Sequence, residues 1–200
     1  MKQIASIQIT PSQVLLNGQP IHLAARPKAE PNDGQMPVSQ PSGKEMLTAL
    51  YKQHVNDYPK FYKMDPLARL GFIASELLLQ SVPEDHFVER EDRAIILVNK
   101  SASLVADRKY ETTIQTGDDY FPSPADFVYT LPNIVTGEIA IRHHYHGETT
   151  FLILHEYDEA MVENLISQAF LDPTTTSVLG GWLECTDENH FEARLGLYEV

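Results

Sequence analysis

Residues Leu131–Gly147 read LPNIVTGEIAIRHHYHG, Glu148–Leu154 continue as ETTFLIL, and His155-Glu156-Tyr157-Asp158 then leads into EAMVENLISQAFL at Glu159–Leu171. Ile134, Val135, Ile139, Ala140 and Ile141, with Gly137 among them, describe a buried helix packed on a neighbour through its glycine face. Thr149–Leu154 is a strand-length apolar run, and Glu159–Leu171 returns to helical spacing. The order is helix, buried strand, helix, and Glu156 stands at the second junction. A strand that delivers one side chain to the head of a helix is a recurring way to present a nucleophile, because helix N-termini stabilise anions. Glu156 is neither Cys nor Ser. The junction therefore has the layout of an active site without its nucleophile.

Upstream of this stretch, Ile4–Ile9 reads as an opening strand that ends at Thr10-Pro11. Ala24–Lys44 collects prolines, glycines and polar residues and reads as a long irregular excursion. Asp65-Pro66 is a helix start, with Asp as the cap and Pro in the first turn. Leu67, Leu70, Ile73, Ala74, Leu77 and Leu78 follow at helical spacing, which predicts an amphipathic helix over Pro66–Gln80. Arg93–Val98 (RAIILV) reads as a central strand covered on both faces. Asn99–Tyr110 suits a short helix and Gln115–Asp126 a loop. Ser177–Glu184 and Phe191–Val200 read as closing strands. The sum is an α/β layered domain with a mixed sheet, one domain over 1–200 without internal repeats.

Composition narrows the partners. Fifteen Lys and Arg stand against 28 Asp and Glu, for a formal net charge of −13. That balance argues against unspecific nucleic-acid or anionic-membrane binding, which needs clustered basic residues. Cys185 is the single cysteine, which excludes an internal disulfide framework and suits a reducing compartment. Runs such as Phe151–Leu154 are far too short to span a bilayer. Met1–Ala5 is followed by no apolar stretch of the secretory kind. A cytoplasmic protein is expected.

Several of these segments together resemble the N-terminal half of the β-ketoacyl-acyl-carrier-protein synthases, a family of thiolase-like fold. FPSPADFVYTLPNIVTGEIAI at Phe121–Ile141 carries the resemblance, with Gly147, the following strand, and SVLGGWLE at Ser177–Glu184. Asn133, Gly137, Gly147, Gly180, Gly181 and Glu184 agree with the family in spacing. DPLARLGFIASELLL, from Asp65, resembles a further family helix. The resemblance implies a thiolase-like half-domain, a five-stranded mixed sheet covered by helices.

It also implies what is missing. Counted from Gly147, the position of the family's nucleophilic Cys falls on Glu156, so no thiolate stands there to form an acyl-enzyme. The chain stops where the family's C-terminal half, with its activating His residues, would begin. This pattern resembles most the short chain-length-factor-type subunits of aryl polyene and flexirubin-like pathways. Such a subunit has no catalytic residue of its own and no cofactor, pairs with a catalytic ketosynthase or with a second copy, and shapes the acyl tunnel. An acyl carrier protein is a further candidate partner for the aromatic and basic Tyr58–Lys63, although surface aromatics anchored on a neighbouring element suit that segment better. The resemblance places interface and tunnel residues at Phe121, Phe127, Asn133, Ile134, Gly137, Glu138, Phe151 and His155. Two other functions remain open: a stand-alone scaffold of the same fold, and a malonyl decarboxylase that uses Glu156.

The remaining chemistry-bearing residues have plainer readings. His143 and His146 stand i,i+3 and could share a helix face, but no Cys or second carboxylate motif accompanies them. His155–Glu159 is not HExxH, since Glu159 occupies the last position. A polar turn or subunit contact fits Arg142–His146 better than a metal site. Cys185 reads as a buried structural thiol and Trp182 as packing.

Overall fold

The computed structural model describes residues 1–23, 41–115 and 120–200. Most of the Ala24–Lys44 excursion, and part of the Gln115–Asp126 loop, lie outside them. The described chain opens with strands β1 (Lys2–Thr10), β2 (Gln13–Leu16) and β3 (Gln19–Pro20). Helix α1 (Lys44–His54), a 3-10 turn at Pro59–Lys63 and α2 (Pro66–Gln80) lead to β4 (Arg93–Asn99). Helices α3 (Leu104–Glu111), α4 (Pro124–Val128) and α5 (Ile134–His143) precede β5 (Thr149–Ile153), α6 (Glu159–Ala169), β6 (Ser177–Asp187) and β7 (His190–Glu199).

The strands form one mixed sheet in the order β3-β2-β1-β7-β6-β4-β5. It has seven strands, not five. The two additional strands come from a hairpin whose turn, Asn17-Gly18, holds φ at 50° and 76°. Asn-Gly adopts that primed turn at little cost, and its twist matches the strands it joins. β4 runs parallel to both β5 and β6, whereas β7 lies antiparallel between β6 and β1.

The two faces of the sheet carry separate cores. α2 lies across β1, β6 and β7, with α1 and α5 packed against it, and α5 also reaches β4 and β5. Pro66, Arg69 and Gln80 are its only residues that are not buried, so the helix is enclosed and not one-sided. Its start is as the sequence predicts: the Asp65 carboxylate accepts from the Leu67 and Ala68 backbone N–H groups at 3.1 and 3.0 Å. On the other face α6 packs on β4 and β6 through Val162, Ile166 and Ala169.

The glycine that brings α5 close to its neighbour is not on α5. A Cβ on Gly71 of α2 would strike Val135 and Leu183, whereas a Cβ on Gly137 would meet nothing within 4 Å. α5 buries Val135 and Ile139 against α2 and leaves its glycine face open.

Candidate functional site

β5 is the outermost strand, hydrogen-bonded to β4 alone. It is not the buried strand its apolar sequence suggests, because no described residue pairs with its outer edge. Phe151 packs on the α2-side core and Leu152 on the α6-side core, while Ile153 stays 49% exposed. An open apolar edge presents unpaired N–H and C=O groups to any further strand.

The β5–α6 junction is equally open. Asp158 caps α6, its carboxylate accepting from the Met161 N–H at 3.1 Å. Glu156 therefore lies two residues outside the cap, in an exposed bend beside exposed His155. The strand does not deliver Glu156 into a buried helix head.

The other expected interface residues divide in two. Phe121 is 77% and Phe127 50% exposed, and Val128 and Leu131 near them are exposed as well. Asn133 precedes α5 without a side-chain cap bond, Ile134 and Gly137 are half-buried, and Ile141 is 64% exposed. α5 thus has two apolar sides, one packed and one bare. Glu138 departs from the expectation. It is buried and turned inward, 2.8 Å from Lys60 Nζ, with the Tyr129 hydroxyl donating to it at 3.4 Å.

A buried polar cluster fixes the C-terminal end of α5. Arg142 donates through Nε to Glu76 at 2.7 Å and through Nη2 to Asp57 at 2.7 Å, and its guanidinium lies 4.7 Å over Phe87. Fully buried His143 stands 3.3 Å from the Glu76 carboxylate, and its Nδ1 is 3.2 Å from the His86 carbonyl. Burial opposes charge on Glu76, but the hydrogen bonds from His143 and Arg142 outweigh it and hold its pKa below the ordinary value. At the foot of β4, fully buried Arg93 donates to Ser177 and Tyr145 and lies 2.7 Å from Glu84. This cluster is invisible to motif reading. Its one sequence signal is Glu76, a lone charge inside the apolar IASELLL.

The cluster also disperses the histidines. His143 is locked inside, His144 turns outward in the left-handed region, and His146 pairs with Glu89 on the surface. Among the described residues, no group of three or more His, Cys, Asp or Glu could hold a metal ion. Cys185 is buried, and burial, followed by Asp65 and other nearby carboxylates, pushes its thiol up to about 12.

A second feature lies at the head of α2. Lys63, Arg69 and Lys109, with Asp65, Asp126 and Tyr129, line a cavity of about 180 Å³. Burial pushes the Asp65 carboxyl up to about 6, despite the two backbone N–H groups that favour its charge. The folded state then holds this proton more tightly than the unfolded chain. Its contribution to stability is full below the ordinary 3.8 and is lost as pH rises through about 6. Asparagine also caps helices. Asp65→Asn should therefore gain on the native protein by about 1–3 kcal/mol between pH 4 and 7. Urea unfolding at a series of pH values reads this, and parallel curves for the two proteins would refute it.

No protein-family model matches the chain, and no curated protein matches it. Solved structures do. The ishigamide ketosynthase/chain length factor superposes with a TM-score of 0.60 at 18% identity, over 74% of this chain and 47% of that one. A chain of the ketosynthase ApeO in complex with its chain length factor ApeC, from Xenorhabdus doucetiae, matches with a TM-score of 0.55 at 12% identity. That match covers all of this chain and 80% of the other. The fold is the thiolase-like fold of the ketosynthases. A β-ketoacyl synthase from Burkholderia phymatum agrees, with a TM-score of 0.52 at 16% identity over 74% of this chain and 46% of that one. The chain spans about half the length of the first and third of these thiolase-like proteins. None of its described helices is long and apolar enough to cross a membrane.

Proposed function

We propose that this chain is a ketosynthase-like subunit of the chain length factor type, a single domain over 1–200. It pairs with a catalytic ketosynthase in acyl-chain or aryl polyene-like biosynthesis and lines part of that partner's acyl tunnel. The observation that carries the reading is the uncovered edge of β5 beside the bare apolar side of α5. Ile153 and Ile141 are large aliphatic side chains left in water on two neighbouring elements. Large exposed aliphatic side chains next to an open strand edge mark an interaction site. A strand added to the β5 edge would satisfy its backbone groups while burying both side chains. In this reading Phe121, Phe127, Asn133, Ile134, Gly137 and His155 are further interface and tunnel residues. Phe151 backs it from the core side, and Glu138 only braces it through Lys60.

Glu156 fits this reading better than it fits catalysis. It stands in an exposed bend, without the dry, preorganised surroundings that make a carboxylate an effective acid, base or nucleophile. An acyl carrier protein, the further partner of this reading, would meet the chain at Tyr58–Lys63, where Tyr62 is exposed while Phe61 is fixed in the core.

Co-expression tests the proposal. The chain, tagged and produced with ketosynthases from its own genome, should elute as a stoichiometric complex with one of them, and the complex should extend an acyl chain that neither protein extends alone. A chain that remains monomeric beside every such ketosynthase would refute it.

A further inference from the structure

The face of the sheet beside α6 holds a pocket that the proposed pairing does not use. α6 covers β4 and β6 but stops short of β7 and β1, and the outward residues of those two strands are polar: Ser6 and Gln8 on β1, Glu192 and Arg194 on β7. Between them and α6 lies a cavity of about 280 Å³. That is the lower end of small-ligand pocket volumes, roughly 300–1,000 Å³, and suits a molecule of few heavy atoms.

Its walls are aromatic on one side and acidic on the other. Tyr157 and Trp182 meet edge to face with ring centroids 5.4 Å apart, and Tyr198 completes the aromatic side. Glu159 and Glu163 stand one helical turn apart on α6 and both line the cavity. Burial, then Glu163, Tyr157 and Glu159, push the Tyr198 phenol up to about 12, so the two carboxylates act directly on this ring and the phenol stays neutral.

The charges do not cancel locally. Arg194 is the one cation among the lining residues, and Glu192 already binds it at 2.6 Å. No ion pair among the described residues reaches Glu159 or Glu163. The helix N-terminus partly compensates Glu159, in the first turn, but its field falls off before Glu163. Arg194 also lies 4.6 Å over the Tyr157 ring and so holds that face itself, which leaves Trp182 and Tyr198 as the aromatic surfaces open to a ligand.

We propose that this pocket binds a small primary alkylammonium compound. The ammonium group would sit against Glu163, with Glu159, the Ser6 hydroxyl and the Gln8 amide oxygen as further acceptors. The alkyl chain would lie along Trp182, Val162 and the Tyr198 ring.

Trp182 is the only tryptophan, so its fluorescence reports the pocket directly. Butylammonium titrated into the full chain at constant ionic strength should change the emission saturably, with a dissociation constant of roughly millimolar order. Butyrate should produce no saturable change. Glu163→Gln alters an exposed position, should leave the fold intact by circular dichroism, and should weaken butylammonium at least tenfold. Isothermal calorimetry covers binding that leaves the emission unchanged. The proposal is overturned by equal responses to butyrate and butylammonium, by unaltered affinity in Glu163→Gln, or by no saturable signal in either measurement up to about 50 mM, well beyond weak small-ligand affinities.

Discussion

Replacing Ile141 and Ile153 together by Asp should weaken association with the ketosynthase partner by roughly a thousandfold. Both side chains are already in water, 64% and 49% exposed, so their loss removes little from the core of the isolated chain. In a complex each would be desolvated near the centre of the contact. Truncation of such a residue costs about 2 kcal/mol or more. An Asp adds a buried carboxylate without a partner, which raises the cost further. Two such losses come to about 4 kcal/mol, and each 1.4 kcal/mol is tenfold in affinity. Leu171→Asp is the matching control. Leu171 is 81% exposed but follows α6, on the opposite face of the sheet, and its change should leave affinity within about threefold. The isolated double variant should unfold at the same urea concentration as the native chain, which separates an interface effect from misfolding. Sedimentation of the mixed proteins measures the association. Retained affinity in the double variant, or equal loss in Leu171→Asp, would place the interface elsewhere.

How much of this surface is legible in the sequence depends on whether position or neighbour decides it. The bounds of α2 are legible because Asp65-Pro66 fixes the start chemically, and β4 is legible because an apolar run bounded by charges has few other uses. The place of β5 is not. TTFLI reads the same whether a strand is covered by the same chain or awaits another, since periodicity reports apolarity and not the source of the cover. The same limit applies to glycine. Gly71 and Gly137 both stand in helices, but only the opposing Val135 and Leu183 make Gly71 the contact point. Glu156 is the sharpest case. Its register with Gly147 suggests a nucleophile position, yet the enclosure that would make such a position reactive is absent around it among the described residues. The strands β2 and β3 and helix α1 carried readable signals: Asn17-Gly18 for the hairpin, and Met46, Leu47, Leu50 and Tyr51 at helical spacing. They are easily passed over beside the irregular segment that separates them.

Gly180-Gly181 allows a prediction inside the sheet itself. The two glycines are adjacent on β6 but are glycine for different reasons. Gly181 holds φ at 149°, a conformation that L residues rarely adopt. A Cβ there would fall on the Arg194 carbonyl oxygen and within 3.0 Å of the Leu195 Cα, both backbone atoms of β7. Neither can move without breaking the β6–β7 ladder, which runs from Ser177↔Glu199 to Asp187↔His190. The conformational strain is of order 1–3 kcal/mol and the overpacking of similar size. Gly181→Ala should therefore lose about 3–5 kcal/mol, a large share of the roughly 5–15 kcal/mol of a typical domain. Gly180 is different. Its φ is not positive, and a Cβ would meet the Ile96 carbonyl at 2.9 Å and the Ile166 side chain at 3.0 Å. Ile166 can shift with α6, and the Ile96 carbonyl of β4 must yield only a few tenths of an ångström, against the much closer overlap at Gly181, so Gly180→Ala should lose less, about 1–3 kcal/mol. Urea unfolding of the two variants measures the difference, with Trp182, next in sequence to Gly181, as the fluorescent reporter. A loss of less than about 1 kcal/mol in Gly181→Ala, or a reversed order of the two variants, would show that β7 yields where the geometry says it cannot.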